Sequence, residues 1–394
     1  MSTVIRGARL VDAHGVRAGN LLVSDGRIRT VGEGLQGDRT IDGAGLVLMP
    51  AFIDLHAHFR DPGLTHKEDI ESGCRAALHG GYTFVNLMPN TQPVCSSMET
   101  VYYVREKAST LAICGVHQTV SITEGFDGKT LAHLEELDGD VRWLSDDGFG
   151  VENTDTILAA MRFAQKKGIG LMLHEEYRVL TPEDAYLSEG LPTFRDVQLA
   201  LLTGCRTHFC HVSTAKALEY ILEGKRQSGN ITFEVSPHHI ALNDTNPGKV
   251  APPLRREEDR RALIAAVLAG QVDAIATDHA PHTEEDKSAG ANGFTGLDLS
   301  FATCYTVLCK DAGLELSALS RLLSLRPAEL MGLPPALLEP GLPANLVLVD
   351  VREPFIAKEG QIHSRSKNSP MLGRELYGKI CMTMKEGQIL YEAH

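Results

Sequence analysis

Residues 54–63, DLHAHFRDPG, place His56 and His58 two apart and follow them at once with Arg60 and Asp61. An apolar run precedes the pair, so the stretch reads as the end of a buried strand. Residues i and i+2 of a strand share a face, and two neutral imidazoles side by side are the donors a divalent cation takes. Further donors of the same kind recur along the chain. LSDDG carries Asp146 and Asp147, LMLHEE carries His174, FCHVS carries His211, and IATDHAPH carries Asp278, His279 and His282. Each closes an apolar run of strand length. A lone strand-end His is ordinarily a hydrogen-bonded core residue, and Asp before a helix is ordinarily a cap. Four His and two Asp on five such ends are hard to explain in that way.

Chemistry divides the labour. One divalent ion takes His56, His58 and Asp278, and a second takes His174 and His211. Two cations about 3.5–4 Å apart need a bridging anion, and Asp147 or Asp146 supplies it. Imidazole and carboxylate donors without thiolate favour zinc, with manganese or cobalt as alternatives. A coordinated water then has a pKa near 7, and Asp278 is placed to take its proton and hand it to a leaving nitrogen. The residues therefore read as a metal-assisted hydrolase. Arg60 and Asn90, the latter in MPNT (88–91), form a carboxylate clamp beside the metal, with His282 as a further donor. The competing reading for Arg60 is a rim ion pair with Asp61 or Asp69.

The elements that must position these residues are strands alternating with helices. Strands are expected at 52–57, 82–88, 112–119, 141–146, 169–174, 207–212, 231–236 and 272–277. Helices are expected at 67–79, 98–109, 154–167, 195–203, 214–226 and 256–269, with a short one near 130–137 and a further helical stretch over 297–331. Eight such units in about 280 residues predict an α/β chain built as a (β/α)8 TIM-like barrel, whose strand ends converge on one cavity. An open doubly wound sheet is the alternative. Residues 279–296, polar and Gly-containing, read as an active-site loop or a merely mobile one. The first and last 50 residues are short alternating segments with SDGRI and KEGQI turns, which predicts a small β-sandwich domain formed by both termini. The expected division is 1–50 with 340–394 for the sandwich and 51–339 for the barrel.

Composition narrows the class. The chain has 394 residues, 43% hydrophobic and 23% charged, with a formal net charge of −13 and no basic cluster. Nucleic acid is thereby an unfavourable partner. No apolar run reaches the ~18 residues of a membrane span, and the N-terminus lacks a signal-peptide pattern, so a cytoplasmic protein is expected. The eight cysteines form no CxxC pair and read as reduced packing residues. No phosphate-binding glycine motif occurs.

With these residues in view, the chain resembles the amidohydrolase superfamily and, within it, the dihydroorotases of the long, type I class. The resemblance rests on DLHAHFRDPG, KEDIESGCRAALHGGYT, MPNTQPV, LSDDGFGVENT, FCHVST, EVSPHHIALND, APPLRREEDRRAL and IATDHAPHTEEDK. It spans residue 52 to about 300 in family order and extends to the terminal β domain. It implies reversible, zinc-dependent cyclisation of N-carbamoyl-L-aspartate to L-dihydroorotate in pyrimidine synthesis, with one or two Zn2+ per chain. Carried over, His56, His58 and Asp278 hold one zinc, with Asp147, His174 and His211 at the second. Arg60, Asn90 and His282 bind substrate, and Asp278 protonates the departing amide nitrogen. A homodimer, or association with aspartate transcarbamoylase, is the assembly the resemblance allows. Three departures stand out. No Lys lies at the end of strand four to act as the carboxylated bridge of many relatives, so Asp147 must serve. Ala251 precedes PPLR where Asn is usual. The 175–210 segment is short and has Phe194 and Arg195 where a Glu is usual. The alternatives are a sibling cyclic amidase (dihydropyrimidinase or allantoinase) and a catalytically silent homologue that scaffolds aspartate transcarbamoylase.

Overall fold

The computed structural model describes residues 2–393. Eight parallel strands form a ring: Phe52–Ala57, Tyr82–Leu87, Gly115–Gln118, Trp143–Leu144, Gly170–Leu173, Thr207–Phe209, Ile231–Val235 and Ala274–Ile275. Regular pairing splits them into a three-stranded and a five-stranded sheet. Parallel bridges join the two at both seams, Val120 to Leu144 and Ala57 to His279. The His58 amide donates to the His279 carbonyl at 2.8 Å and closes the circle. This is the expected (β/α)8 barrel. Its interior is filled by Ile53, Leu55, Met88, Trp143, Met172, Cys210, Ala274 and Ala276, all buried, so the barrel is a packed core whose functional end is the carboxyl end of its strands.

Several strands are shorter than the apolar runs that announced them, the eighth being only Ala274–Ile275. Beyond the eighth strand the chain stays tied to the first, Thr277 donating its amide to Asp54 Oδ1 at 2.8 Å. Helices Ile70–His79, Met98–Leu111, Thr154–Lys167, Ala215–Gln227 and Glu257–Leu268 lie where the pattern put them. Two helical readings need correction. The helix expected at 195–203 starts ten residues earlier, at Ala185, where Asp184 Oδ1 accepts from the Tyr186 and Leu187 amides. Pro192 is tolerated inside it because the carbonyl it leaves unpaired, that of Ser188, accepts from the Tyr177 amide at 2.8 Å instead. The stretch 297–331 is two helical units separated at 312–315, with Gly313 at φ +78°.

The termini build the β-sandwich. A six-stranded sheet runs Gln388–Glu392, Lys379–Lys385, Leu346–Asp350, Val47–Pro50, Arg9–Asp12 and Gly15–Arg17, thus mixing both ends of the chain. A four-stranded sheet from the N-terminal part faces it, and Ile5, Leu10, Leu21, Ile28, Leu48, Leu346, Leu348 and Met384 pack between them. The C-terminal portion also returns to the barrel mouth: Ser366 Oγ donates to the His282 carbonyl at 2.6 Å, and Asn368 Nδ2 to the Gly293 carbonyl at 2.9 Å. The loop 279–296 is correspondingly well tied. It contains a short helix, Glu284–Ser288, and Lys287 Nζ donates to three carbonyls, those of Lys249, Ala291 and Gly293. No described helix is long and apolar enough to cross a membrane.

Candidate metal centre

Six of the strand-end residues singled out for metal chemistry arrive at the same place. His56, His58, Asp147, His174, His211 and Asp278 are all buried at the barrel mouth. Asp147 is the hub. Its Oδ1 lies 3.2 Å from His56 Nε2, 3.4 Å from His174 Nδ1 and 3.4 Å from His211 Nε2, and its Oδ2 lies 3.5 Å from His58 Nε2. Asp278 Oδ1 lies 3.3 Å from His58 Nε2 and 3.7 Å from His56 Nε2. Donors bound tetrahedrally to a zinc ion at about 2.0–2.1 Å are about 3.3 Å from one another, which is the spacing found here. His56, His58 and Asp278 form one group of converging donors, and His56, Asp147 and His211 another. Of the two neighbouring carboxylates, Asp147 is the one placed among these donors, because Asp146 turns away and accepts the Thr123 amide at 3.0 Å.

The donor atoms are presented with their lone pairs inward. His56 Nδ1–H donates to Glu234 Oε1 at 3.0 Å, and His58 Nδ1–H donates to Asn90 Oδ1 at 2.8 Å. Each bond fixes the tautomer that leaves Nε2 free to ligate. His56 Nε2 is buried with no hydrogen-bond partner, a costly state unless a cation takes the lone pair. Three residues hold left-handed backbone: Arg60 at φ +60°, His211 at +32° and Asp278 at +46°. Such strain in non-glycine residues collects at functional sites. Burial works against the Asp147 charge, but the His56, His174 and His211 rings outweigh it and hold the carboxyl well below the usual range. Asp278 is likewise held low, burial being outweighed by His58, His56, His211 and His238.

The substrate side is equally defined. Arg60 is buried, its Nη2 3.3 Å from His282 Nε2 and its Nε donating to the Pro281 carbonyl at 3.4 Å. The rim carboxylates are otherwise engaged. Asp61 pairs with Lys107 at 2.7 Å and takes the Tyr103 hydroxyl, and Asp69 caps the Ile70–His79 helix and pairs with Arg365. Arg60 therefore has no carboxylate in ion-pair contact among the described residues, and a buried guanidinium without an anion is set up to receive one. Burial and the Arg60 and Lys67 charges push His282 down to about 3, so it faces the site as a neutral ring.

Two site residues escaped the sequence reading. His238 Nε2 is buried, has no hydrogen-bond partner and lies 3.7 Å from Asp278 Oδ2. The signal was present in EVSPHH: Ser236 caps a helix with Pro237 in its first turn, which fixes His238 over the mouth. Glu234 orients His56 and also accepts from His208 Nε2 at 3.1 Å. Its partner lies 178 positions away, beyond the reach of local pattern. His279 faces away from the site, with Glu68 Oε2 3.3 Å from its Nε2. Phe194 is exposed and Arg195 pairs with Asp196, whereas Glu189 of the same helix reaches the loop after His211, accepting the Ser213 amide at 2.9 Å.

Residues 47–390 match the amidohydrolase family. A dihydroorotase of Clostridium botulinum (strain Eklund 17B / Type B) is 45% identical over 397 residues, covering 100% of both chains. One from Lactiplantibacillus plantarum is 38% identical, covering 99% of each. Among solved structures, an L-hydantoinase (dihydropyrimidinase) from Arthrobacter aurescens superposes with a TM-score of 0.91 at 22% identity, over 99% of this chain and 96% of that one.

Proposed function

The chain belongs to the amidohydrolase family, and from that premise we propose that it interconverts L-dihydroorotate and N-carbamoyl-L-aspartate. It is a hydrolase of cyclic amides. The observation that carries the substrate reading is the buried Arg60 guanidinium beside His282, with no carboxylate partner among the described residues and two residues beyond the candidate ligand His58. A dihydropyrimidinase or allantoinase substrate lacks the ring carboxylate that Arg60 would receive. A silent scaffold would have no use for six converging donors and the strained backbone at Arg60, His211 and Asp278. The full-length dihydroorotase relatives support the same reading.

The residues fit a divalent cation, which we assign as zinc, one or two per chain, held by His56, His58 and Asp278 and by His174 and His211, with Asp147 between. When bound, it supplies Lewis acidity toward the ring carbonyl and lowers the pKa of water. The protein's own groups do the rest. Arg60 takes the substrate carboxylate in a fork, Asn90 Nδ2 and neutral His282 add hydrogen bonds, and together they set the ring amide over the donor cluster. Asp278 accepts the proton of the attacking water as oxygen bonds to the carbonyl carbon. It then delivers that proton to the amide nitrogen as the C–N bond breaks. The reverse sequence closes the ring.

We further propose the domain division 1–50 with 340–394 and 51–339, a cytoplasmic location, and assembly as a homodimer or with aspartate transcarbamoylase. The testing experiment is hydrolysis of dihydroorotate beside dihydrouracil and allantoin, in the wild type and in Arg60→Met. Turnover of dihydroorotate alone, abolished in the variant, is expected; unchanged kcat and KM in the variant would remove the clamp.

A further inference from the structure

A second group of donors lies away from the barrel mouth, where three separate parts of the chain meet. His79 is the last residue of the Ile70–His79 helix, Asp298 follows the mouth loop, and His363 sits in the C-terminal portion that returns to the barrel. Asp298 Oδ1 is 3.1 Å from His79 Nδ1 and 3.5 Å from His363 Nδ1, and one donor atom from each residue falls within 4.8 Å of the others. The two Asp298 separations are those of donors around one small cation, about 3.3 Å for zinc. The two imidazoles lie with centroids 4.0 Å apart and planes tilted by 31°, and Tyr391 flanks them, its ring 5.0 Å from that of His79.

Hydrogen bonding leaves the cluster incomplete. The His363 amide donates to Asp298 Oδ1 at 2.7 Å. Asp298 Oδ2 and His79 Nδ1 are nevertheless buried with no hydrogen-bond partner, although Asp298 is 5% exposed and His79 close beside it. One divalent ion between the three residues satisfies Asp298 and both lone pairs at once.

We propose that His79, Asp298 and His363 form a separate structural site for a late first-row divalent cation, of which zinc suits an N2O donor set. His363 is half-exposed, so water completes the coordination from the solvent side. The ion would clip the C-terminal portion, which carries Ser366 and Asn368 to the mouth loop, onto the barrel helix that ends at His79.

The test compares metal content in the intact wild-type chain and in His363→Ala after equilibration with zinc and desalting. The backbone amide that holds Asp298 is retained in this variant. One equivalent fewer per chain, with dihydroorotate turnover unchanged, is the expected result. Equal equivalents overturn the assignment, as does loss of turnover together with the equivalent, because the lost ion would then belong to the mouth. Should the variant not fold, wild-type crystals soaked in cobalt decide the matter. An anomalous peak between His79 and His363 supports the site, and its absence there, with peaks only at the mouth, overturns it.

Discussion

His58 Nδ1 and Asn90 Oδ1 lie 2.8 Å apart, so the amide expected to touch substrate also fixes the tautomer of an imidazole proposed to bind metal. Asn90 accepts from His58 through its carbonyl oxygen and keeps both Nδ2 donors for a ligand.

Asn90→Ala should consequently weaken metal binding and not only raise KM. Loss of such an orienting partner typically costs about 10–100-fold in metal affinity. Competition with a chromogenic chelator measures it, and an affinity equal to wild type would confine Asn90 to the substrate.

Asp278→Asn should keep its metal, since the carboxamide retains a ligand oxygen, while kcat falls by roughly 10²–10⁴, the usual contribution of a general base. Near-normal rates with full metal content would refute the proton transfer assigned to Asp278.

Arg255 and Glu189 form a buried pair at 3.0 Å, and both hold Ser213, two residues beyond His211. Arg255→Met strands the Glu189 charge and should destabilise the chain by about 3–5 kcal/mol, with Glu189→Gln added to it restoring part of the loss. Urea unfolding gives both values; a double variant no more stable than the single one would contradict the account.

His117 is held neutral. Its Nδ1–H donates to Asn86 Oδ1 at 2.6 Å and its Nε2 accepts the Arg142 amide at 3.2 Å, and burial with the Arg142 charge pushes it from 6.5 down to about 3. A depressed histidine takes up its proton more readily in the unfolded chain, so its contribution is whole above pH 6.5 and is lost as pH falls towards 3. Tm should therefore drop less between pH 7 and 5 in His117→Gln than in wild type. Parallel curves would assign the acid sensitivity elsewhere.

The mouth of the barrel was legible because each candidate donor closes a hydrophobic run of strand length, and the alternation of His56 and His58 survives whatever the neighbours do. Asp147 could not be separated from Asp146 by pattern. The choice depends on Thr123, which takes Asp146 out of the site. The helix from Ala185 was obscured by Gly190 and Pro192, and only the distant Tyr177 amide explains why a proline is harmless there. Glu234, Asn90 as an orienting group, and the His79–Asp298–His363 cluster depend on partners tens to hundreds of residues away, which composition and period do not encode.

The most direct measurement is dihydroorotate hydrolysis by the purified chain, with metal content determined on the same sample before and after chelation. Turnover that disappears with the metal and returns on adding zinc is predicted. Full activity in the metal-free chain, or a metal-loaded chain that never turns over dihydroorotate, would contradict a metal-dependent dihydroorotase centred on Asp147.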